Sequence, residues 1–154
     1  MLLDEQSLLQ RGRVLGSDLS RRVVDSAVRG IYGASSFRAT DLAFKANYFS
    51  KVGRGLLSVD NSLRSSVSFE QANLVRLNDR GGHTEQSVIP AMDVIFCRNV
   101  LMYFDETAVK DTLRLFYSLL KKGGYLLLGH AETLLPIGTE FASVQIGREL
   151  LHRK

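Results

Sequence analysis

Four short polar segments hold the side chains that could do chemistry: Gly16-Ser17-Asp18, Asn73-Leu74, Arg98-Asn99 with Tyr103 a few residues on, and His130 with Glu132. Ionised Asp18 offers several lone-pair directions and could accept both hydroxyls of a ribose. The same carboxylate could instead cap the helix that follows it. The Asn73 amide suits an adenine edge, with Leu74 beside it to cover a ring face; alternatively Asn73 ends a strand in an Asx turn. Arg98 could hold a carboxylate through its fixed fork of donors, and Tyr103 could help to orient it. The plainer alternative makes Arg98 a structural residue bonded to loop carbonyls and Tyr103 a packing residue at a helix start. His130 and Glu132 read either as acid/base or metal-binding groups or as a polar loop beside a pocket.

Several chemistries are excluded by what accompanies these residues. His83 lies in a loop and His152 near the terminus, so no third ligand joins His130 and Glu132, and no metal site is expected. Gly53 and Gly55 lack the Lys-Ser/Thr ending of a phosphate loop. The arginines lack interleaved aromatics, so no nucleic-acid partner is expected. The chain has 154 residues, 45% apolar and 23% charged, with a formal charge of +4. That is enough for one ordinary domain, and the charge alone identifies no partner. The single cysteine, Cys97, cannot form an intrachain disulfide and reads as a small core residue. A reducing, cytoplasmic setting is expected, since no leader pattern opens the chain and no apolar run is long enough for membrane insertion.

The elements that must position these groups follow from periodicity. Residues 1–10 read as a helix ended by Gly12, and Val14–Asp18 as a short buried strand. Ser20 is expected to cap a helix to about Arg29, with Val23, Val24, Ala27 and Val28 inward and Gly30 as its stop. Asp41–Phe49 reads as a short helix, Lys51–Gly55 as a loop, Leu56–Val59 as an exposed antiparallel strand and Val67–Phe69 as a core strand. A polar loop is expected over Asn78–Ser87. Met92–Cys97 reads as a buried strand. Asp105 then caps a helix through about Leu120, with Val109, Leu113, Phe116, Tyr117 and Leu120 in one stripe. Lys121 and Lys122 are expected at its C-terminus, with Gly123-Gly124 breaking it. Tyr125–Leu128 follows as a strand, and Phe141–Val144 with Glu149–His152 as a terminal antiparallel hairpin.

This order indicates an α/β fold with a mostly parallel sheet, a C-terminal antiparallel hairpin and a small inserted antiparallel subdomain over residues 32–66. Ligands bind outside the carboxyl ends of the strands of such sheets, and the four polar segments follow those ends.

The stretch FCRNVLMYFD (Phe96–Asp105), followed by LLKKGGYLLLGHAE (Leu119–Glu132), resembles the catalytic domain of the chemotaxis receptor glutamate methyltransferases, the CheR family. Lys122 stands where the family usually has Pro, and Ala131 where it has Ser. Further matches are GSDLS at Gly16–Ser20, VRGIYG at Val28–Gly33, NYF at Asn47–Phe49, VSFEQANL at Val67–Leu74, and Phe141–Lys154. The resemblance runs through nearly the whole chain in order. It implies a Rossmann-like sheet, S-adenosylmethionine as methyl donor and a glutamate in the cytoplasmic domain of a chemoreceptor as acceptor. By motif, Asp18 would hold the ribose hydroxyls, and Asn73 and Leu74 would lie near the adenine. Arg98 and Tyr103 would line the methyl-transfer end, Arg98 also touching the cofactor, and Asn99 would support the cofactor loop. Lys51–Gly55 is shorter than in members that grip a receptor-tail peptide, so tethering of that kind is not expected.

The resemblance also implies that the family's N-terminal helical domain, first core strand and glycine-containing cofactor loop precede the residues matched here. The chain is therefore expected to be a partial catalytic domain with impaired activity. Its strands ending at Asp18 and Cys97 would lack a central neighbour, exposing sheet edges open to self-association. The rival expectation is a non-catalytic chemoreceptor-interaction module or a gene fragment.

Overall fold

The computed structural model describes residues 1–79, 81, 89–130, 132, 134 and 138–154. They form two compact units, Met1–Ala72 and Asn73–Lys154. Of the expected polar loop over Asn78–Ser87, residues 80 and 82–88 lie outside the described residues, His83 among them; Ala131 does as well.

In chain order, the first unit comprises α1 (Leu2–Glu5), β1 (Val14–Asp18), α2 (Arg21–Arg29), β2 (Ile31–Gly33), α3 (Leu42–Tyr48), β3 (Phe49–Gly53), β4 (Leu56–Val59), α4 (Asn61–Arg64) and β5 (Val67–Gln71). The opening helix is one turn, not ten residues. Ser7 adopts the left-handed region at φ 56°, and the Leu8 N–H turns back onto the Leu3 carbonyl at 2.6 Å, which closes the helix early. Strands β1 and β5 pair in parallel, Val14 opposite Val67 and Asp18 opposite Gln71. Gly16 lets them pack closely, since a Cβ there would come within 2.7 Å of the Phe69 ring. β1 is half-buried where a buried strand was expected, because β5 is its only strand neighbour among the described residues.

Helix α2 ends as expected at Gly30, in the left-handed region at φ 62°. Its buried face is narrower than its apolar stripe: Val24 is buried, whereas Val23 and Val28 are exposed. The expected Ser20 side-chain cap is not made. Instead the Asp18 carboxylate reaches forward to the Ser20 N–H at 2.7 Å.

The inserted subdomain is a three-stranded antiparallel sheet in the order β2-β4-β3. Edge-to-face contacts among Tyr32, Phe37 and Phe49 bind it together. Asp41 caps α3 by accepting from the Ala43 N–H. The expected loop at Lys51–Gly55 is mostly strand: β3 runs to Gly53, and Gly53 pairs with Leu56 across Arg54-Gly55, with Gly55 at φ 71°. A two-residue turn with a glycine at positive φ suffices to reverse the chain there. The short helix α4, capped by Asp60, has no apolar periodicity to announce it.

The second unit comprises α5 (Leu74–Asp79), β6 (Met92–Cys97), α6 (Glu106–Leu119), β7 (Leu120–Leu128), β8 (Ala142–Ile146) and β9 (Glu149–Arg153). Its sheet runs β6-β7-β9-β8; β6 and β7 are parallel, and the other neighbours are antiparallel. Leu126 is fully buried, and Val109, Leu113, Phe116 and Leu120 from the expected stripe pack with it around Cys97, Leu101 and Phe141. Asp105 caps α6 through the Ala108 N–H at 2.8 Å.

Three expectations are corrected in this unit. Asn78 and Asp79 belong to α5 rather than to a loop. Lys121, Lys122 and the glycine pair lie in β7, because the chain passes from helix to strand at Leu120 with ψ 139°. Lys121 then bonds both Asp93 oxygens at 2.9 Å, and Gly123, at φ 82°, donates to the Lys154 carbonyl. Finally, β6 is not buried on both faces: it is an outer strand of its sheet, and Phe96 is 70% exposed.

The fold class is thus α/β: parallel pairs β1-β5 and β6-β7, a mixed C-terminal sheet closed by an antiparallel hairpin, and a small inserted antiparallel sheet. β1 and β6 lie in separate sheets, each with one side unpaired among the described residues.

Candidate functional site

Asp18 is the last residue of β1, where the strand hands over to α2. Its Oδ1 takes the Ser20 N–H and its backbone carbonyl takes the Ala72 N–H at 3.0 Å. The capping role anticipated for this carboxylate is therefore real, and it uses one oxygen. The second oxygen remains able to accept from outside, and exposed Leu19 adjoins it in sequence.

Asn73 follows β5 and begins the second unit. Its Oδ1 accepts from the Val75 N–H at 3.0 Å, so the Asx-turn reading holds, and its carbonyl takes the Leu77 N–H. The side-chain NH2 is not needed for that turn and can still donate. Leu74 packs against the core of its unit, as Val100 and Phe104 also do.

The remaining groups converge at the carboxyl ends of β6 and β7. Arg98 directly follows β6, and its Nη2 lies 3.1 Å from His130 Nδ1, beyond the end of β7. Arg98 is thus held by a side chain rather than by loop carbonyls. His130 Nε2 in turn faces the Glu149 carboxylate at 3.7 Å. Asn99 adopts φ 59°, a left-handed conformation that asparagine tolerates better than most residues. The next residues wind into a short 3-10 turn, Leu101–Tyr103, which buries Leu101 and leaves Met102 and Tyr103 outside. Tyr103 is 79% exposed, which removes the expectation that it packs at the start of α6.

Neither sequence reading of Glu132, an acid/base or metal-binding partner of His130 or part of a polar loop beside a pocket, anticipates what it does. In the structure its Oε2 accepts from the N–H groups of Asn99 and Gly129, both at 2.8 Å. Its Oε1 accepts from Val100 at 3.0 Å and Met102 at 3.3 Å. Burial pushes this carboxyl up, but the amide donors of Gly129, Asn99 and Met102 outweigh burial and leave it below the ordinary value. A lone Glu after a Gly-His pair carries no sequence signal for this role. The only hint was its place beyond a strand end, three residues after a glycine.

Cys97 is buried, as expected of a core cysteine. Burial, and secondarily the negative charge of Glu132, push its thiol up to about 12. Such a thiol is a poor nucleophile. Among the described residues no group of three His, Cys, Asp or Glu side chains could hold a metal, and no helix is long and apolar enough to cross a membrane.

Arg98, Asn99, Tyr103, His130 and Glu132 therefore form one assembly, with Asn73 and Leu74 in the same unit and Asp18 at a strand end of the other. The arrangement offers a cationic fork and an exposed phenol on a backbone that is itself bonded from several directions. Those groups suit an anionic, carboxylate-bearing ligand.

A family model described as the CheR methyltransferase, SAM binding domain, matches residues 1–149. The chain is 36% identical over 128 residues to chemotaxis protein methyltransferase 2 of Vibrio cholerae, covering 83% of this chain and 42% of that protein. It is 34% identical over 135 residues to the chemotaxis protein methyltransferase of Salmonella typhimurium, covering 86% and 44%. With the probable biofilm formation methyltransferase WspC of Pseudomonas aeruginosa it shares 32% identity over 134 residues, covering 82% and 30%. The chain spans less than half the length of these curated relatives.

Proposed function

The chain belongs to the CheR methyltransferase family, and we propose that it serves S-adenosylmethionine-dependent O-methylation of glutamate side chains in the cytoplasmic domain of a chemoreceptor. The observation that carries this reading is the Arg98–Tyr103 segment: an arginine fork and a largely exposed tyrosine at a strand's carboxyl end, on a backbone fastened by Glu132.

The residues fit the methyl donor by their chemistry. Asp18 keeps one carboxylate oxygen for ribose hydroxyls, and the Asn73 NH2 can donate to an adenine edge beside Leu74. Asn99 supports the cofactor side of the loop, and Arg98 reaches the same end. When bound, the cofactor supplies a methyl group on a positively charged sulfonium, which an ionised carboxylate attacks without help from a strong base.

What the chain must provide is position. Arg98 holds one oxygen of the acceptor glutamate and leaves the other free; full neutralisation would blunt the attack. Tyr103 presents its ring and hydroxyl beside that carboxylate. Holding two reactants in line in a site less wet than water provides the rate gain.

Calorimetric titration with S-adenosylhomocysteine, followed by labelled methyl transfer to a chemoreceptor cytoplasmic fragment, tests the reading. Saturable binding that Asp18→Ala abolishes, together with alkali-labile label on glutamate, is the expected result. Receptor binding with no transfer would favour a non-catalytic interaction module instead.

A further inference from the structure

We propose that Glu132 is a positioning residue of the methyl-transfer site, whose carboxylate fastens the backbone on which Arg98, Asn99 and Tyr103 are carried. This inference rests on the methyltransferase reading for its functional consequence, but its structural content stands on geometry alone.

Four amide N–H groups point at one carboxylate: Asn99 and Gly129 at one oxygen, Val100 and Met102 at the other. The bonds join the carboxyl end of β6 to that of β7, so the two strand ends that carry Arg98 and His130 are tied at a single point. The tied residues flank the proposed working groups. Asn99 and Val100 directly follow Arg98, and Met102 directly precedes Tyr103. Glu132 has no hydrogen bond to either of those side chains among the described residues, so its influence on them passes through the backbone.

Two further features show that the loop is built around this carboxylate. Asn99 sits at φ 59°, a conformation that costs a non-glycine residue free energy and persists only where its surroundings hold it. A Cβ on Gly129 would fall 2.8 Å from Glu132 Oε2 and 3.1 Å from the Asn99 nitrogen, so the carboxylate occupies the space a side chain would need. The charge matters as well as the shape. A glutamine offers one acceptor oxygen, serves at most two of the four donors, and turns an NH2 toward the others. The isosteric amide is thus not a conservative replacement, and Glu132→Asp, one methylene shorter, cannot reach both strand ends.

The test compares wild type, Glu132→Gln and Leu115→Ala, the last a buried α6 variant outside the core cluster that holds Leu101, which controls for general loss of stability. Residue-resolved amide exchange is read at Asn99, Val100, Met102 and Gly129, beside S-adenosylhomocysteine affinity and the rate of methyl transfer to a chemoreceptor fragment. For Glu132→Gln, exchange should rise at those four amides and stay unchanged in α6 and β9. Transfer should fall by ~10–100-fold through kcat more than through KM for the receptor, as expected of misplaced reactants. Leu115→Ala should show neither local effect. Exchange that is unaltered at the four amides, or that rises equally throughout the unit, overturns the proposal. So does a local rise in exchange accompanied by wild-type affinity and transfer. Should wild type itself bind no analogue and transfer no methyl, the methyltransferase reading fails, and the exchange result alone decides whether Glu132 fastens the loop.

Discussion

Arg98 Nη2 stands 3.1 Å from His130 Nδ1, and because a guanidinium only donates, Nδ1 must present its lone pair. The imidazole proton then sits on Nε2, facing the Glu149 carboxylate 3.7 Å away. Nitrogen NMR of the imidazole in mildly alkaline solution should show the Nε2–H tautomer, and a dominant Nδ1–H form would contradict the pairing. Removing the acceptor in His130→Phe should shift the Arg98 guanidinium signals.

Stability should fall in two separate steps as the solution is acidified. His152 is buried and its Nδ1 has no hydrogen-bond partner among the described residues. Burial lowers its pKa from the ordinary 6.5, so the unfolded chain binds the proton first. Its contribution is complete above 6.5 and is lost as pH drops from there through the folded value. Glu132 acts lower: its folded pKa lies below the ordinary 4.5, so its contribution is present above 4.5 and lost as pH falls through the folded value. Urea midpoints measured across this range should show the first step missing in His152→Gln and the second reduced in Glu132→Gln, the remainder coming from Asp60 and Glu106, whose carboxyls are also held below their ordinary values by hydrogen bonds. An acid profile unchanged from wild type in either variant would refute the assignment.

Cys97 should resist alkylation in the folded protein. Its thiol is buried and pushed up to about 12, so almost none is thiolate near neutrality. Iodoacetamide labelling should therefore track unfolding, appearing in denaturant and not before it. Rapid labelling under native conditions would show that β6 opens locally.

The strands that carry the site were legible because each alternates or runs apolar up to a polar tip: Val14–Asp18 and Met92–Cys97 lie where periodicity put them. The burial of those strands was not legible, because it depends on which strands lie alongside; Phe96 is apolar yet mostly exposed on an outer strand. Local chemistry also misled at Lys121–Gly124. Two lysines and two glycines read as a helix end, but they lie in the register shift between Leu120 opposite Met92 and Tyr125 opposite Val94, and the bonds of Gly123 and Gly124 with Lys154 hold them in β7. Asp18 and Asn73 each offer two roles in the sequence, and in the fold Asp18 makes the capping bond while Asn73 makes the Asx turn. The role of Glu132 is not legible in the sequence for a different reason. Three of its four partners are backbone amides about 30 residues upstream, and backbone donors leave no trace in residue type.

Tyr103 and Leu126 should separate function from stability. Leu126 is 0% exposed at the centre of its unit's core, and Leu126→Ala removes several buried carbons that the surroundings can only partly replace. A loss of ~2–5 kcal/mol is expected from equilibrium unfolding. Tyr103, at 79% exposure, buries little, and Tyr103→Ala should leave stability within about 0.5 kcal/mol of wild type. Methyl transfer to a chemoreceptor fragment should nevertheless fall sharply in Tyr103→Ala, with S-adenosylhomocysteine affinity much less affected, because the ring is proposed to face the acceptor rather than the nucleoside. A Tyr103→Ala protein that unfolds as readily as Leu126→Ala would return the tyrosine to a packing role. Unchanged transfer in a stable Tyr103→Ala protein would remove it from the site.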